Sequence, residues 1–179
     1  MEKKSFLEAM DKWRTPERLV LVTSVNESNE PHVITVGWKM RTSFNPPMFA
    51  IAVGNGKYMH ECISQSEEFV LAVPGDDLAE QVLACGNQSN AFEDRFKKYG
   101  LLTKTGESVK SPLIDNCIAN FECQVINQVD SGDHTIFIGQ VVNSYSSNEE
   151  KQNLLVVDDQ AGYEVLAEEA PYAVGVVKK

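Results

Sequence analysis

The chain has 179 residues, of which 42% are hydrophobic, and this length is typical of one domain with a sizeable core. Its 16 Lys and Arg against 26 Asp and Glu give a formal charge of −10, which argues against nucleic acid or anionic membrane as a partner because both favour clustered cations. No signal peptide follows Met1 and no apolar run reaches membrane-spanning length, so the sequence predicts a cytoplasmic protein.

The first elements in chain order are a short helix and a pair of strands. Apolar residues recur at helical spacing between residues 5 and 13, which predicts an amphipathic helix with one apolar face, formed by Phe6, Leu7, Met10 and Trp13. This helix either covers the body of the domain or reaches a partner subunit, and we favour the first use. β-Branched and aromatic residues predict strands at Leu19–Val25 and Val33–Trp38, with a polar turn between them.

A glycine turn and a basic residue follow the next strand. Met48–Val53 is continuously apolar, as expected of a strand buried on both faces, and Gly54-Asn55-Gly56-Lys57 leads into a predicted helix at Tyr58–Ile63. Free N–H groups and the helix dipole attract an anion at such a start. Neither a dinucleotide fingerprint nor a P-loop is present, because the third glycine and the Ser or Thr after the lysine are missing. The alternative is an ordinary strand–turn–helix joint with a solvated lysine.

The rest of the chain predicts mainly strands. Asp76-Asp77, after a strand at Glu68–Val73, is interpreted as the cap of a helix at Leu78–Ala84. A hairpin is predicted from 117–129 and 134–145. Residues 154–157 and 162–166 resemble the closing strand pair of a family described below, and the tail beyond them supports no prediction. The four cysteines, at 62, 85, 117 and 123, lack metal-site spacing and are interpreted as buried structural thiols.

Three groups of residues together resemble the flavin reductase-like family, whose members are FMN-binding split β-barrels. The first group is the series Trp38, Thr42-Ser43, Pro46-Pro47, an apolar strand and Lys57-Tyr58-x-His60. The second is Gly86-Asn87-Gln88-Ser89-Asn90 followed by Asp94-Arg95-Phe96, in which Asn90 and Arg95 replace the family's Gly and Lys. The third is Gly132-Asp133-His134-Thr135.

The resemblance implies a mainly β fold with a few helices, a split β-barrel of the FMN-binding type. It implies one domain over residues 1–179, with the barrel core at about 15–166, and a homodimer. Lys57 and the helix start would hold the FMN phosphate. His134, the implied catalytic residue, would lie where the nicotinamide or substrate approaches, although a solvated histidine at a strand start is the alternative. The implied cofactor-binding residues are Trp38, Lys39, Met40, Arg41, Thr42, Ser43, Ala52, Val53, Gly54, Lys57, Tyr58, His60, Ser89 and Phe96.

The implied function is NAD(P)H-dependent flavin reduction, with hydride passing from the nicotinamide to FMN, or to FAD as the alternative cofactor. An electron acceptor or partner oxygenase is expected but not identified, and no metal is predicted. A rival from another class is an FMN-binding electron carrier or flavin-storage module without an NAD(P)H step. A third alternative is a small barrel used only for protein contacts.

A separate expectation concerns two cationic residues near the implied flavin ring, Lys39 and Arg41. If residues 38–43 stay extended, alternation places Lys39, Arg41 and Ser43 on one face, opposite Trp38, Met40 and Thr42. Ser43 matches the family serine beside the flavin ring, so both cations would lie on the flavin side and raise its reduction potential. The equally supported alternative is that both side chains are solvated in a surface loop.

Overall fold

The structure is a computed structural model that describes residues 1–87, 93–157, 162–169 and 171–178. The helices are α1 (Phe6–Met10), α2 (Tyr58–Ser66), α3 (Ala79–Asn87) and α4 (Arg95–Tyr99). The strands are β1 (Glu17–Arg18), β2 (Val20–Val25), β3 (Pro31–Val36), β4 (Lys39–Phe44), β5 (Pro47–Gly54), β6 (Glu68–Val73), β7 (Thr103–Lys104), β8 (Leu113–Ile114), β9 (Ala119–Ser131), β10 (His134–Ser146), β11 (Leu155–Val157), β12 (Tyr163–Glu169) and β13 (Tyr172–Val177). In the described ranges no helix is both long and apolar enough to cross a membrane.

Antiparallel pairing joins these strands into one large sheet and two smaller ones. The large sheet has seven strands in the order β3-β2-β6-β9-β10-β5-β4, and a second sheet has the order β1-β11-β13-β12. The predicted hairpin is confirmed as β9 and β10, whose connecting turn places Gly132 at φ +68°, a backbone conformation that glycine adopts without steric cost. The predicted strands at 19–25, 48–53 and 68–73 and the helix after Lys57 are also present.

The core lies on both faces of the central strands of the large sheet. Strand β2 is buried at every position; its two polar residues, Thr23 and Ser24, donate hydrogen bonds to the carbonyls of Pro112 and Glu68. Leu21 and Ala72 point into one cluster, which α3, α4 and the second sheet cover. Val22 and Leu71 point into the other cluster, which α2 covers with Met59, Cys62 and Ile63. Burial raises the pKa of the Cys62 thiol to about 11, and all four cysteines are free and buried, as the sequence predicts for structural thiols.

Three expectations about connections are wrong. Helix α1 does not cover the body, because none of its residues is buried. Asp76 and Asp77 do not cap the helix with their side chains but form the acidic first turn of a short 3-10 helix (Asp76–Leu78) that leads into α3. The Asp76 carboxylate accepts a hydrogen bond from the Gln152 backbone amide (3.1 Å), and Asp77 accepts one from Lys151 Nζ (3.0 Å). The closing strands β11 and β12 do not pair with each other, because β13, from the tail without a prediction, pairs with both.

A buried carboxylate fixes the segment that precedes β8. Glu122 on β9 is fully buried and accepts hydrogen bonds from the backbone amides of Ser108 (3.0 Å) and Val109 (3.2 Å) and from the Tyr145 hydroxyl (2.9 Å). A Cβ on Gly106 would lie 1.9 Å from the Glu122 carboxylate, so only glycine fits there. Burial alone would raise the pKa of Glu122, but the hydrogen bonds to its carboxylate outweigh it and lower that pKa.

We predict that Glu122→Gln destabilises the protein at neutral pH by about 1–3 kcal/mol, because charge-assisted bonds to buried amides are lost. The pKa of Glu122 is lower in the folded state than in the unfolded state, so the ionised carboxylate stabilises the fold at pH values above the unfolded-state pKa. This stabilisation is lost as the pH falls through the folded-state pKa. The difference between the variant and the original protein should therefore shrink in acid. Urea unfolding at several pH values measures this difference in the free energy of unfolding. The control is Glu164→Gln, at an exposed position of β12. Equal losses of unfolding free energy in the two variants would contradict the prediction.

Candidate functional site

One face of strands β4, β5 and β10 gathers many of the residues that the sequence singles out. Ile51, Val53, Thr135 and Phe137 point into the core, so their neighbours along the same strands point the other way. We call this other side the outer face, and its residues include Trp38, Met40, Ser43, Ala52, Gly54, His134, Ile136 and Ile138. Trp38 and Met40 are 55% and 60% exposed, so the outer face offers apolar surface to a ligand or partner.

Trp38 and His134 form a ring pair at one end of the outer face. Their ring centroids are 4.5 Å apart, with an interplanar angle of 35°. His134 Nδ1 lies 2.7 Å from the Asp133 carboxylate, and this hydrogen bond is the main reason that the pKa of Asp133 is lowered. Because an ionised carboxylate only accepts, Nδ1 donates this hydrogen bond, and in the neutral form of the ring Nε2 would be an acceptor.

The glycine loop places a helix start and a lysine beside this ring pair. Gly54 lies between them, since a Cβ built on it would be 3.6 Å from the Lys57 side chain and 3.7 Å from His134 Nε2. Lys57 is exposed and is the N-cap residue of α2. The Lys57 and His60 N–H groups donate to the carbonyls of Gly54 and Lys57, so the N–H groups at this helix start that a ligand could use are those of Tyr58 and Met59. An anion bound at this helix start would therefore lie next to the outer face.

A chain of partly buried hydrogen bonds braces the glycine loop from the core side. The Thr135 hydroxyl donates to Asn55 Oδ1 (3.1 Å), so it accepts from His60 Nε2 (2.8 Å). The backbone N–H of Asn55 donates to the Asp133 carbonyl (3.0 Å), and this bond links the loop to the turn between β9 and β10. Sequence reasoning missed the structural roles of Asn55 and Thr135, and the available signal was a Thr at an inward position of an apolar strand.

The predicted site residues divide between this location and others. Trp38, Met40, Ser43, Ala52, Gly54 and His134 lie on the outer face, with Lys57 at its end. Tyr58 is half-buried, and its hydroxyl accepts a hydrogen bond from Asn26 (3.3 Å). His60 packs against Phe137, and Val53 and Phe96 lie in the core, so none of these three side chains belongs to the outer face. Ser89 lies outside the described residues.

The expectation that Lys39 and Arg41 share a face with Ser43 is wrong. A bulge at Thr42 shifts the pairing, so that Arg41 lies opposite Phe49 whereas Ser43 lies opposite Met48. The extra residue turns Ser43 to the outer face and leaves Lys39 and Arg41 on the other side. Lys39 Nζ donates to the carbonyls of Arg18 and Gly37 and lies 3.8 Å from Glu17, and burial lowers the pKa of Lys39.

Comparison with known proteins identifies the family of the chain. The family model described as "Flavin reductase like domain" matches residues 13–165. The chain belongs to the flavin reductase-like family. It is 38% identical over 128 residues to an uncharacterized protein of Archaeoglobus fulgidus, covering 72% of this chain and 71% of that one. It is 30% identical over 127 residues to the NADH-dependent FAD reductase of Streptomyces globisporus, covering 70% and 68%.

Similarity to solved structures confirms the predicted fold class. The flavoredoxin of Desulfovibrio vulgaris (Miyazaki F) matches with a TM-score of 0.71 and 25% identity, over 82% of this chain and 78% of that one. The FMN-binding protein of Thermus thermophilus matches with a TM-score of 0.75 and 18% identity, over 87% and 89%, and this second likeness concerns the fold alone. The mainly β, split-barrel type predicted from the sequence is thus the fold of this chain.

We predict that Thr135→Val destabilises the protein by about 1–3 kcal/mol, because Asn55 Oδ1 and His60 Nε2 both lose a buried partner. Thr135→Ser keeps the hydroxyl and should lose much less, which makes it the matched control. Urea unfolding monitored by tryptophan fluorescence gives both values. The bracing role of the hydroxyl fails if the Val and Ser variants are equally stable.

Proposed function

We propose that the protein binds FMN on the outer face and catalyses NAD(P)H-dependent reduction of flavin. The observation that supports this proposal best is the position of Gly54, which lies between the Trp38–His134 ring pair and the Lys57 side chain. An apolar surface and an anion-attracting helix start are thereby adjacent. FMN has the same two parts, a flat ring system and a phosphate.

The residues at this location fit such a ligand. Trp38 and Met40 offer exposed apolar surface for a planar ring, and the small residues Ala52 and Gly54 allow it to approach the sheet closely. Lys57 and the free N–H groups of α2 would bind the phosphate by charge-assisted hydrogen bonds. The chain carries a formal charge of −10, so a local cation is needed to attract a phosphate to this surface.

Bound flavin supplies the chemistry of accepting and passing on hydride or electrons. The task of the chain is then to hold and orient the ring and to leave one side of it open to the nicotinamide. The Asp133–His134 pair would present Nε2 at the rim of that opening, where it can accept a hydrogen bond from a carboxamide. Hydride transfer itself requires no acid–base residue, so Trp38 and His134 would act by positioning.

A homodimer forms part of the proposal. Trp38 and Met40 on the outer face, and Val129 on the neighbouring strand β9, are large apolar residues that a single chain leaves exposed. A second copy would bury them and enclose the flavin between the subunits. The reduced flavin would serve an electron acceptor or a partner oxygenase.

The second candidate function is electron transfer by bound FMN without an NAD(P)H step. The likeness to the flavoredoxin of Desulfovibrio vulgaris, at a TM-score of 0.71, favours this candidate. The relative from Streptomyces globisporus, whose name describes an NADH-dependent FAD reductase, favours reduction and leaves FAD as the alternative flavin.

We predict that Lys57→Ala weakens FMN binding roughly ten- to a hundredfold, the loss of one charge-assisted bond of about 1.5–3 kcal/mol. Riboflavin lacks the phosphate, so its affinity should hardly change. Flavin-fluorescence titration gives both dissociation constants, and Lys104→Ala, at an exposed lysine on β7, is the matched control. Equal losses for FMN and riboflavin would place the lysine outside the phosphate site, and an absence of FMN binding by the original protein would overturn the proposal.

We also predict that the protein oxidises NADH or NADPH in the presence of free FMN faster than the uncatalysed background. We expect this because the outer face would hold the flavin ring and the nicotinamide next to each other, so that hydride transfer becomes effectively intramolecular. Steady-state nucleotide oxidation, with both nucleotides tested anaerobically, is the measurement. If the protein binds FMN but oxidises neither NADH nor NADPH, the result would favour the second candidate function, electron transfer by bound FMN.

A further inference from the structure

Asn55 is hydrogen-bonded to the chain on both sides of His134. Its backbone N–H donates to the Asp133 carbonyl (3.0 Å), and its side-chain amide donates to the Gly132 carbonyl (3.4 Å). On the other side of the histidine, the Thr135 hydroxyl donates to Asn55 Oδ1 (3.1 Å). Three hydrogen bonds from one residue of the glycine loop therefore hold the backbone that carries the His134 ring.

The Asp133–His134 pair needs support because it stands at the end of its sheet. The pairing of β5 with β10 ends at Gly54 and His134, and Gly132 and Asp133 form the turn beyond it. The Asp133 side chain is 92% exposed, so packing does little to restrain it. The 2.7 Å hydrogen bond between His134 Nδ1 and the Asp133 carboxylate therefore depends on the backbone conformation of the turn.

The chemistry of an asparagine side chain suits this position. Its short amide supplies an acceptor for the Thr135 hydroxyl and a donor for the Gly132 carbonyl. An aspartate of the same size would supply acceptors alone, and it would add a negative charge two residues before Lys57. Asn55 is exposed and its φ is not in the left-handed region, so neither burial nor backbone conformation requires an asparagine here.

Asn55 also lies between the two ends of the candidate site. It follows Gly54, which lies beside His134, and it precedes Lys57, the N-cap residue of α2, by two residues. The bonds of Asn55 to the turn therefore set where the His134 ring stands relative to the helix start. A flavin bound at the helix start would meet the histidine at a fixed distance, which a loosened turn would not preserve.

We infer that Asn55 is a positioning residue, which holds the His134 ring against Trp38 and in a fixed place relative to the helix start. The kinetic consequence of this inference rests on the proposed function, whereas its structural part does not. Asn55 acts through His134, whose Nε2 would accept the hydrogen bond from the carboxamide of the nicotinamide. Loss of the Asn55 side-chain amide then impairs hydride transfer and leaves flavin binding in place.

The first test follows the His134 ring by NMR in the protein without flavin, in alkaline buffer, where a histidine with the ordinary pKa of about 6.5 is neutral. An imidazole whose centroid lies 4.5 Å from that of an indole is shifted by the ring current of the indole. The chain has three histidines, and the signals of His134 are those that disappear in His134→Gln.

We expect Asn55→Ala to move the His134 signals towards those of a solvated histidine, while the signals of His32, which packs against Tyr58, stay in place. Asn55→Asp, which keeps the acceptor for Thr135 and loses the donor to Gly132, should move them in the same direction. The matched control is Asn127→Ala, at an exposed asparagine farther along β9, which should leave them unchanged. His134 signals that stay in place in both Asn55 variants would overturn the inference.

The second test separates hydride transfer from flavin binding. At saturating FMN, we expect Asn55→Ala to lower kcat/KM for NADH or NADPH by about tenfold or more, because a misplacement of about 1 Å can cost about a hundredfold in rate. The dissociation constant of FMN should change less than about threefold, whereas Lys57→Ala should show the opposite pattern. An unchanged kcat/KM, or an equal loss of FMN affinity, would overturn the kinetic role of Asn55. If the original protein oxidises neither nucleotide, the proposed function fails, and the NMR test decides whether Asn55 positions the ring.

Discussion

The pairing of β5 with β10 is the constraint on which the candidate site depends. Its register sets His134 opposite Gly54, residues that are 80 positions apart in the chain. The same register turns His134 outward and Thr135 inward. The outward residue meets Trp38, and the inward one reaches Asn55 and His60. One ladder of backbone hydrogen bonds thus positions both the outer face and the hydrogen bonds on its core side. A register shift of one residue would turn Thr135 outward and His134 inward.

The bulge at Thr42 decides which charges the outer face presents. Without it, two cations would stand beside Ser43; with it, Lys39 turns towards Glu17 and the carbonyls of Gly37 and Arg18. The outer face near the ring pair is then apolar, and the nearby positive charge is that of Lys57 at the helix start. A surface with an apolar centre and a cation at its end separates ring binding from phosphate binding, which suits a ligand whose own charge lies at one end.

The exposed surfaces are best understood together with the proposed function. The proposed flavin site would be open to water on one side of the sheet, and within the described part of the chain Trp38 and Met40 of the outer face are largely exposed. The proposed homodimer would bury this surface, with the glycine loop, braced through Asn55 and Thr135, behind it.

The sequence by itself determined the mainly β class, the hairpin of β9 and β10, the apolar strand that ends in Gly54, and the family. These predictions follow from local signals, since turn residues, alternating polar and apolar residues, and unbroken apolar runs are properties of neighbouring residues. Only the tertiary structure decided that Lys39 and Arg41 face away from Ser43, that Phe96 belongs to the core, and that β13 lies between β11 and β12. A bulge, a burial site and a strand order each depend on which distant segments pair, and no short stretch of sequence carries that information.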